Sequence, residues 1–118
     1  MAKAEERVNP MRITDTETGE TYVLEFSRES VKFAEQRGFK ISELTDYPQT
    51  NIPALFFYAF RKNHKKVARN QTDKLLEDMG GLTTEEITRL AELYNQPNES
   101  LILMEGAERK NARLTVEL

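Results

Sequence analysis

The chain has 118 residues, 38% hydrophobic and 31% charged, with a net charge of −3, enough for one domain that buries about two-thirds of the surface its unfolded form exposes. It contains no cysteine, which excludes disulfides, iron–sulfur clusters, zinc ribbons and cysteine nucleophiles and fits a reducing cytosol. No apolar run approaches the roughly 20 residues of a membrane-spanning helix, and the charged start Met1–Arg7 has no apolar segment behind it to form a signal peptide.

Residues 1–10 are polar, end at Asn9-Pro10, and read as a disordered leader; 11–118 read as a single α+β domain. Met11–Asp15 and Thr21–Phe26 are expected to pair as an N-terminal β-hairpin. Gly19 supplies the positive φ that the intervening loop needs. Tyr22, Leu24 and Phe26 alternate with Val23 and Glu25, so one face of the second strand should be buried.

About four helices follow. Ser27 is placed to cap the first, Arg28–Arg37, with Glu29 near its positive end and Gly38 as the left-handed stop. Phe39 and Ile41 are buried anchors ahead of the polar connection Ser42–Gln49. Thr50 is expected to cap a central helix over Asn51–Lys66, with Pro53 tolerated in its first turn. Ile52, Leu55, Phe56, Ala59 and Phe60 make a helical stripe. Phe57 and Tyr58 widen it, so this helix is either packed on two sides or displays aromatic surface. A third helix is expected over Thr72–Met79 with Leu75, Leu76 and Met79 on one face, stopped by Gly80-Gly81. Thr83 and Glu86 form a capping box for the last, Thr84–Tyr94. Asn95-Gln-Pro97-Asn ends or kinks it, and Ser100–Met104 is an apolar extension. Residues 105–112 read as a loose loop. Leu114–Leu118 alternates strictly and is expected, as the strand of 113–118, to join the edge of the hairpin, since two strands alone are marginal.

The chemistry of catalysis is hard to find in this pattern. His64 is the sole histidine, with no acidic residue within eight positions, and reads as a solvated surface residue rather than a ligand or general base. No Walker, dinucleotide-binding or nucleophile-elbow motif is present. Gly80-Gly81 lacks the preceding strand and following lysine of a phosphate loop. Glu85-Glu86 sits where a helix start favours negative charge. The expectation is a protein without enzymatic, cofactor or metal chemistry.

What stands out is charge placement. Residues 51–70 hold five basic residues and no acidic one, whereas 1–50 hold ten acidic against seven basic and 71–118 hold ten against five. Arg61, Lys62, Lys65 and Lys66 follow directly on Phe57 and Tyr58, and these six are the candidate partner-binding residues. Three readings stay open. The cations are a solvated or helix-capping cluster, a surface that docks protein, or, using 57–69, a phosphate-and-stacking site for single-stranded nucleic acid. The last is disfavoured by the negative net charge and by the absence of any RNP, KH or helix-turn-helix signature.

Five segments together resemble a known family: Val31-Lys-Phe-Ala-Glu-Gln-Arg-Gly-Phe39, Ile52-Pro-Ala-Leu-Phe-Phe-Tyr-Ala-Phe-Arg61 with its lysine-rich continuation, Gly80-Gly-Leu-Thr83, Leu90-Ala-Glu-Leu-Tyr-Asn-Gln-Pro97 and Thr115-Val-Glu-Leu118. They are similar to the small tail assembly chaperones of long-tailed bacteriophages and prophages, especially those of Gram-positive bacteria. The resemblance runs from Met11 onward and leaves residues 1–10 outside. It implies a non-enzymatic protein of the host cytoplasm that binds the largely helical tape-measure protein. It further implies that the protein helps recruit tail-tube subunits and is absent from the mature virion. Self-association is compatible with it, as is pairing of the terminal strand either within the chain or between chains.

Overall fold

The computed structural model describes residues 8–101 and 113–118, and they form an α+β fold. Strands β1 (Met11–Thr14) and β2 (Thr21–Leu24) pair antiparallel with Met11 opposite Leu24 and Thr14 opposite Thr21. The loop between them closes on Asp15: its carbonyl accepts from Gly19 N–H at 2.7 Å and its carboxylate from Glu17 N–H at 2.9 Å. Gly19 has φ +81°, a left-handed conformation that an L side chain would strain. Leu24 and Phe26 are buried as the alternation predicts.

Four helices occur among the described residues: α1 (Arg28–Gln36), α2 (Pro48–Phe60), α3 (Arg69–Met79) and α4 (Thr84–Asn95). Ser27 caps α1, its hydroxyl accepting from Ser30 N–H at 3.2 Å while Ser27 N–H donates to Ser30 Oγ at 2.8 Å. The Thr83–Glu86 box holds α4 as expected, with bonds of 2.9 and 3.0 Å. Gly80, at φ +78°, stops α3, and Gly81 N–H closes back on Leu76 C=O at 3.0 Å, the paired arrangement common at helix ends.

The central helix departs from its expected limits at both ends. It starts at Pro48, so Thr50 lies inside it rather than capping it. Asn51 Nδ2 donates to Glu43 C=O at 2.7 Å and Asn51 N–H to Tyr47 C=O at 2.9 Å, tying the new first turn to the short 3₁₀ segment Ile41–Glu43. Pro53 consequently falls in the second turn, where its missing amide leaves the carbonyl of Gln49, an exposed residue, to solvent. At the other end α2 stops at Phe60 instead of Lys66. Continuing it would stack Arg61 on Lys65 and Lys62 on Lys66, like-charge pairs at i,i+4 that destabilise a helix. α3 begins three residues earlier than expected because Gln71 Oε1 accepts from Ala68 N–H at 2.7 Å. Leu75 and Leu76 pack on the core from it, but Met79 is exposed.

α2 is the axis of the core. It packs against α1, β2, α3 and α4. It buries Ala54, Leu55, Phe56, Tyr58, Ala59 and Phe60, so the two-sided alternative holds. Around it the rings of Phe26, Phe39, Tyr58 and Tyr94 meet edge to face at centroid distances of 5.1 to 5.5 Å, a geometry that aligns ring edges with ring faces.

The terminal segment corrects another expectation. Residues 114–118 form no strand, and Leu114, Val116 and Leu118 are exposed. The hairpin stays two-stranded because α2 and the turn after it take the place of a third strand on β2. Of the expected leader, Val8–Pro10 are held in place: Val8 N–H donates to Gln96 Oε1 at 2.6 Å and Arg89 Nη1 to Asn9 C=O at 3.4 Å. The remainder of the leader, residues 102–104 of the apolar extension, and the loop 105–112 lie outside the described residues. Among the described residues, no helix is long and apolar enough to cross a membrane.

Two outcomes test this core. Leu90→Ala, at a position with no exposed surface, is expected to lower the unfolding free energy by about 2–5 kcal/mol in urea denaturation. Burial, then the Glu35 charge and Tyr58, pushes the Tyr94 phenol up to about 12 from an ordinary value of about 10. The folded chain therefore holds this proton more tightly than the unfolded chain. The resulting stability is complete below about pH 10 and is lost as pH rises toward about 12. Tyr94→Phe should lose less stability than the wild type between about pH 8 and about pH 11, measured by urea midpoints.

Candidate functional site

The six candidate residues do not form one surface. Because α2 ends at Phe60, the basic run leaves the helix axis and divides between two sides of its C-terminal end. Tyr58 is only 7% exposed, its ring packed edge-on against Phe33 and Phe39, so it is a core residue and not a docking residue. Phe57 is half-buried, with the Arg69 guanidinium 5.9 Å from its ring centre.

On the α1 side, Arg61 lies 3.9 Å above the Phe33 ring while Arg37 lies 3.7 Å from the same ring centre. Two guanidiniums this close to one centroid must occupy opposite faces, so Phe33 is sandwiched between them. The ring's negative faces offset part of the repulsion between the cations. Neither arginine forms a salt bridge among the described residues.

On the hairpin side, Lys62, Lys65 and Lys66 rim an open cleft of about 580 Å³ that also takes in Tyr22, His64 and Gln71. Lys62 is partly neutralised by Glu25 at 3.3 Å. Lys65 and Lys66 are exposed and make no salt bridge among the described residues. Across the cleft, the Tyr22 hydroxyl donates to Glu20 Oε1 at 2.9 Å. That bond, together with burial and the Glu20 and Asp15 charges, holds the phenol above its usual range, so it stays neutral.

The floor of the cleft holds the residues that sequence reasoning missed. His64 is half-buried, not solvated: its Nε2 accepts from Val23 N–H at 2.9 Å, and its ring meets Tyr22 edge-on at 5.3 Å. Asn63 Nδ2 donates to Val23 C=O at 3.1 Å and to Glu25 Oε2 at 3.0 Å. Glu25 N–H completes the seam on Ala59 C=O at 3.2 Å. The outer edge of the chain at Val23 and Glu25 is thus satisfied by two side chains and one helix carbonyl, an arrangement that covers part of an edge otherwise open to another strand. No motif announces Asn63 and His64. The i,i+4 spacing of Phe33 and Arg37 on one helix face is a visible signal, but Arg61 joins that pair only through the packing of α2 on α1.

Among the described residues, no group of three His, Cys, Asp or Glu is placed to hold a metal ion. What the arrangement offers is cationic groups around an open cleft, which can attract carboxylates or phosphates.

The chain belongs to a family defined as a domain of unknown function (DUF5055), which matches it over residues 1–118. No curated protein and no solved structure matches it.

The seam predicts a contrast between neighbouring residues. Asn63→Ala should cost about 1 kcal/mol by removing the donor to Val23 C=O. Lys62→Met should change stability by less than about 1 kcal/mol, because its ion pair is partly exposed and Asn63 still holds the Glu25 carboxylate. Parallel urea denaturations check both.

Proposed function

We propose that the protein is a non-enzymatic tail assembly chaperone of long-tailed bacteriophages or prophages. It acts in the host cytoplasm, where it binds the tape-measure protein, helps bring tail-tube subunits to it, and stays out of the mature virion. The sequence resemblance motivates this reading, and one structural observation supports it. Arg37, Arg61, Lys65 and Lys66 surround the end of α2 without a salt bridge among the described residues, and the two arginines are pre-set by the Phe33 ring.

A long helical client carries acidic side chains on the polar faces of its amphipathic segments, and these are natural counter-ions for cations on either side of the helix end. Electrostatic contacts of this kind favour fast, reversible capture, which suits a chaperone that must release its client. The alternative, single-stranded nucleic acid bound along 57–69, needs aromatic rings free to stack. Tyr58 and Phe60 are buried and Phe57 lies under Arg69, so that reading has less support.

Co-expression with a tape-measure protein, followed by affinity capture, tests the proposal. The unmodified chain should retain the client, and Lys65→Glu with Lys66→Glu should reduce retention about tenfold, a loss of about 1.4 kcal/mol, with the circular dichroism spectrum unchanged. Undiminished capture would remove the lysines from the interface. Absence of any complex with the unmodified chain, or binding to short oligonucleotides that weakens steeply with salt, would overturn the chaperone reading.

A further inference from the structure

The geometry points to His64 as a pH-dependent latch that fastens the β-hairpin to the end of the central helix. This goes beyond the proposed function and does not rest on it.

The Val23 amide can only donate, so the His64 Nε2 that receives it at 2.9 Å must carry a lone pair. The proton of the neutral ring is then on Nδ1. A proton added to Nε2 would set two donors against each other, and the bond must open. Protonation removes the only acceptor the imidazole offers here, so the Val23–His64 bond is the one bond of the seam that answers to pH.

The surroundings define what the latch holds. His64 N–H is anchored to Phe60 C=O at 2.7 Å, so the backbone bearing the ring is fixed to α2. The ring is lodged between Tyr22 and Phe60, at centroid distances of 5.3 and 6.1 Å. Among the described residues, the charged groups lining the cleft are Glu20 from the hairpin and Lys62, Lys65 and Lys66 from the turn, with Glu25 beside them on Lys62 and Asn63; Tyr22 is neutral, bound to Glu20. Glu25 is already engaged by Lys62 and Asn63, and Glu20 by Tyr22. An imidazolium formed here therefore loses its backbone partner while the nearest carboxylates are committed to other donors. The two remaining bonds of the seam, Asn63 to Val23 C=O and Glu25 N–H to Ala59 C=O, have no titrating partner. Acid should therefore loosen the seam at the Val23 amide first and leave the Glu25 amide as an internal reference.

Amide hydrogen exchange on the full chain reads this directly, as protection factors corrected for the intrinsic rate at each pH. Between about pH 7.5 and about pH 5, Val23 protection should fall roughly tenfold in the wild type, while Glu25 protection changes less than about twofold. His64→Gln, whose amide oxygen accepts a hydrogen bond without titrating, should keep Val23 protection nearly constant over the same range. If the His64→Gln chain does not fold, the ring ¹⁵N shifts of the wild type at about pH 7.5 decide the matter: a proton on Nδ1 with Nε2 bare supports the latch. A proton on Nε2, or a Val23 protection factor that ignores pH, overturns it.

Discussion

Two-sided burial of α2 is the constraint on which the structure depends. A helix that buries Leu55 and Phe56 together with Tyr58, Ala59 and Phe60 has little polar face left, so partners must surround it. α1, β2, α3 and α4 all pack against it. Each partner is short and amphipathic and has too little apolar surface to persist alone. The hairpin shows this most plainly, since a two-stranded ribbon is marginal in water and here it gains its third layer from a helix end rather than from a strand.

The end of α2 is where packing and charge meet. The apolar sequence stops at Phe60 and a run of cations begins, so the helix stops there too, and the turn that follows throws its side chains in two directions. Arg61 goes to the Phe33 ring, while Asn63 and His64 go to the edge of β2. Stability and the candidate binding surface are thus built from the same few residues. The lysines project from a turn whose backbone is held by the Asn63–His64 seam, while their own exposed side chains keep their rotamer freedom.

Much of this fold was legible in the sequence because local chemistry and periodicity agree over most elements. Ser27, Gly19, Gly80 and the Thr83–Glu86 box do what their residue types favour, and the hairpin alternation marks Leu24 and Phe26 as buried. The misjudged boundaries are those of α2, where Pro48 starts the helix ahead of Thr50 and like-charge spacing outweighs the helical propensity of Arg and Lys, and the start of α3, where Gln71 closes on Ala68. The candidate site was less legible. Tyr58 sits beside Phe57 in sequence, but the rotation of about 100° between consecutive helical residues turns one into the core and leaves the other half-buried. His64 has no chemical partner near it in the chain; its partner is the Val23 amide, 41 residues away.

The sequence alone determined the class of fold, the identity of the central helix, most caps of the other helices, and the concentration of positive charge between residues 51 and 70. Each of these depends on spacing or composition within a single segment, which a linear pattern preserves. Only the tertiary structure decided that the charge divides between two sides of a helix end, that Phe33 holds two arginines apart, and that one histidine closes a strand edge. Those facts depend on which faces of distant segments meet. Close packing selects those meetings from many that local propensity allows.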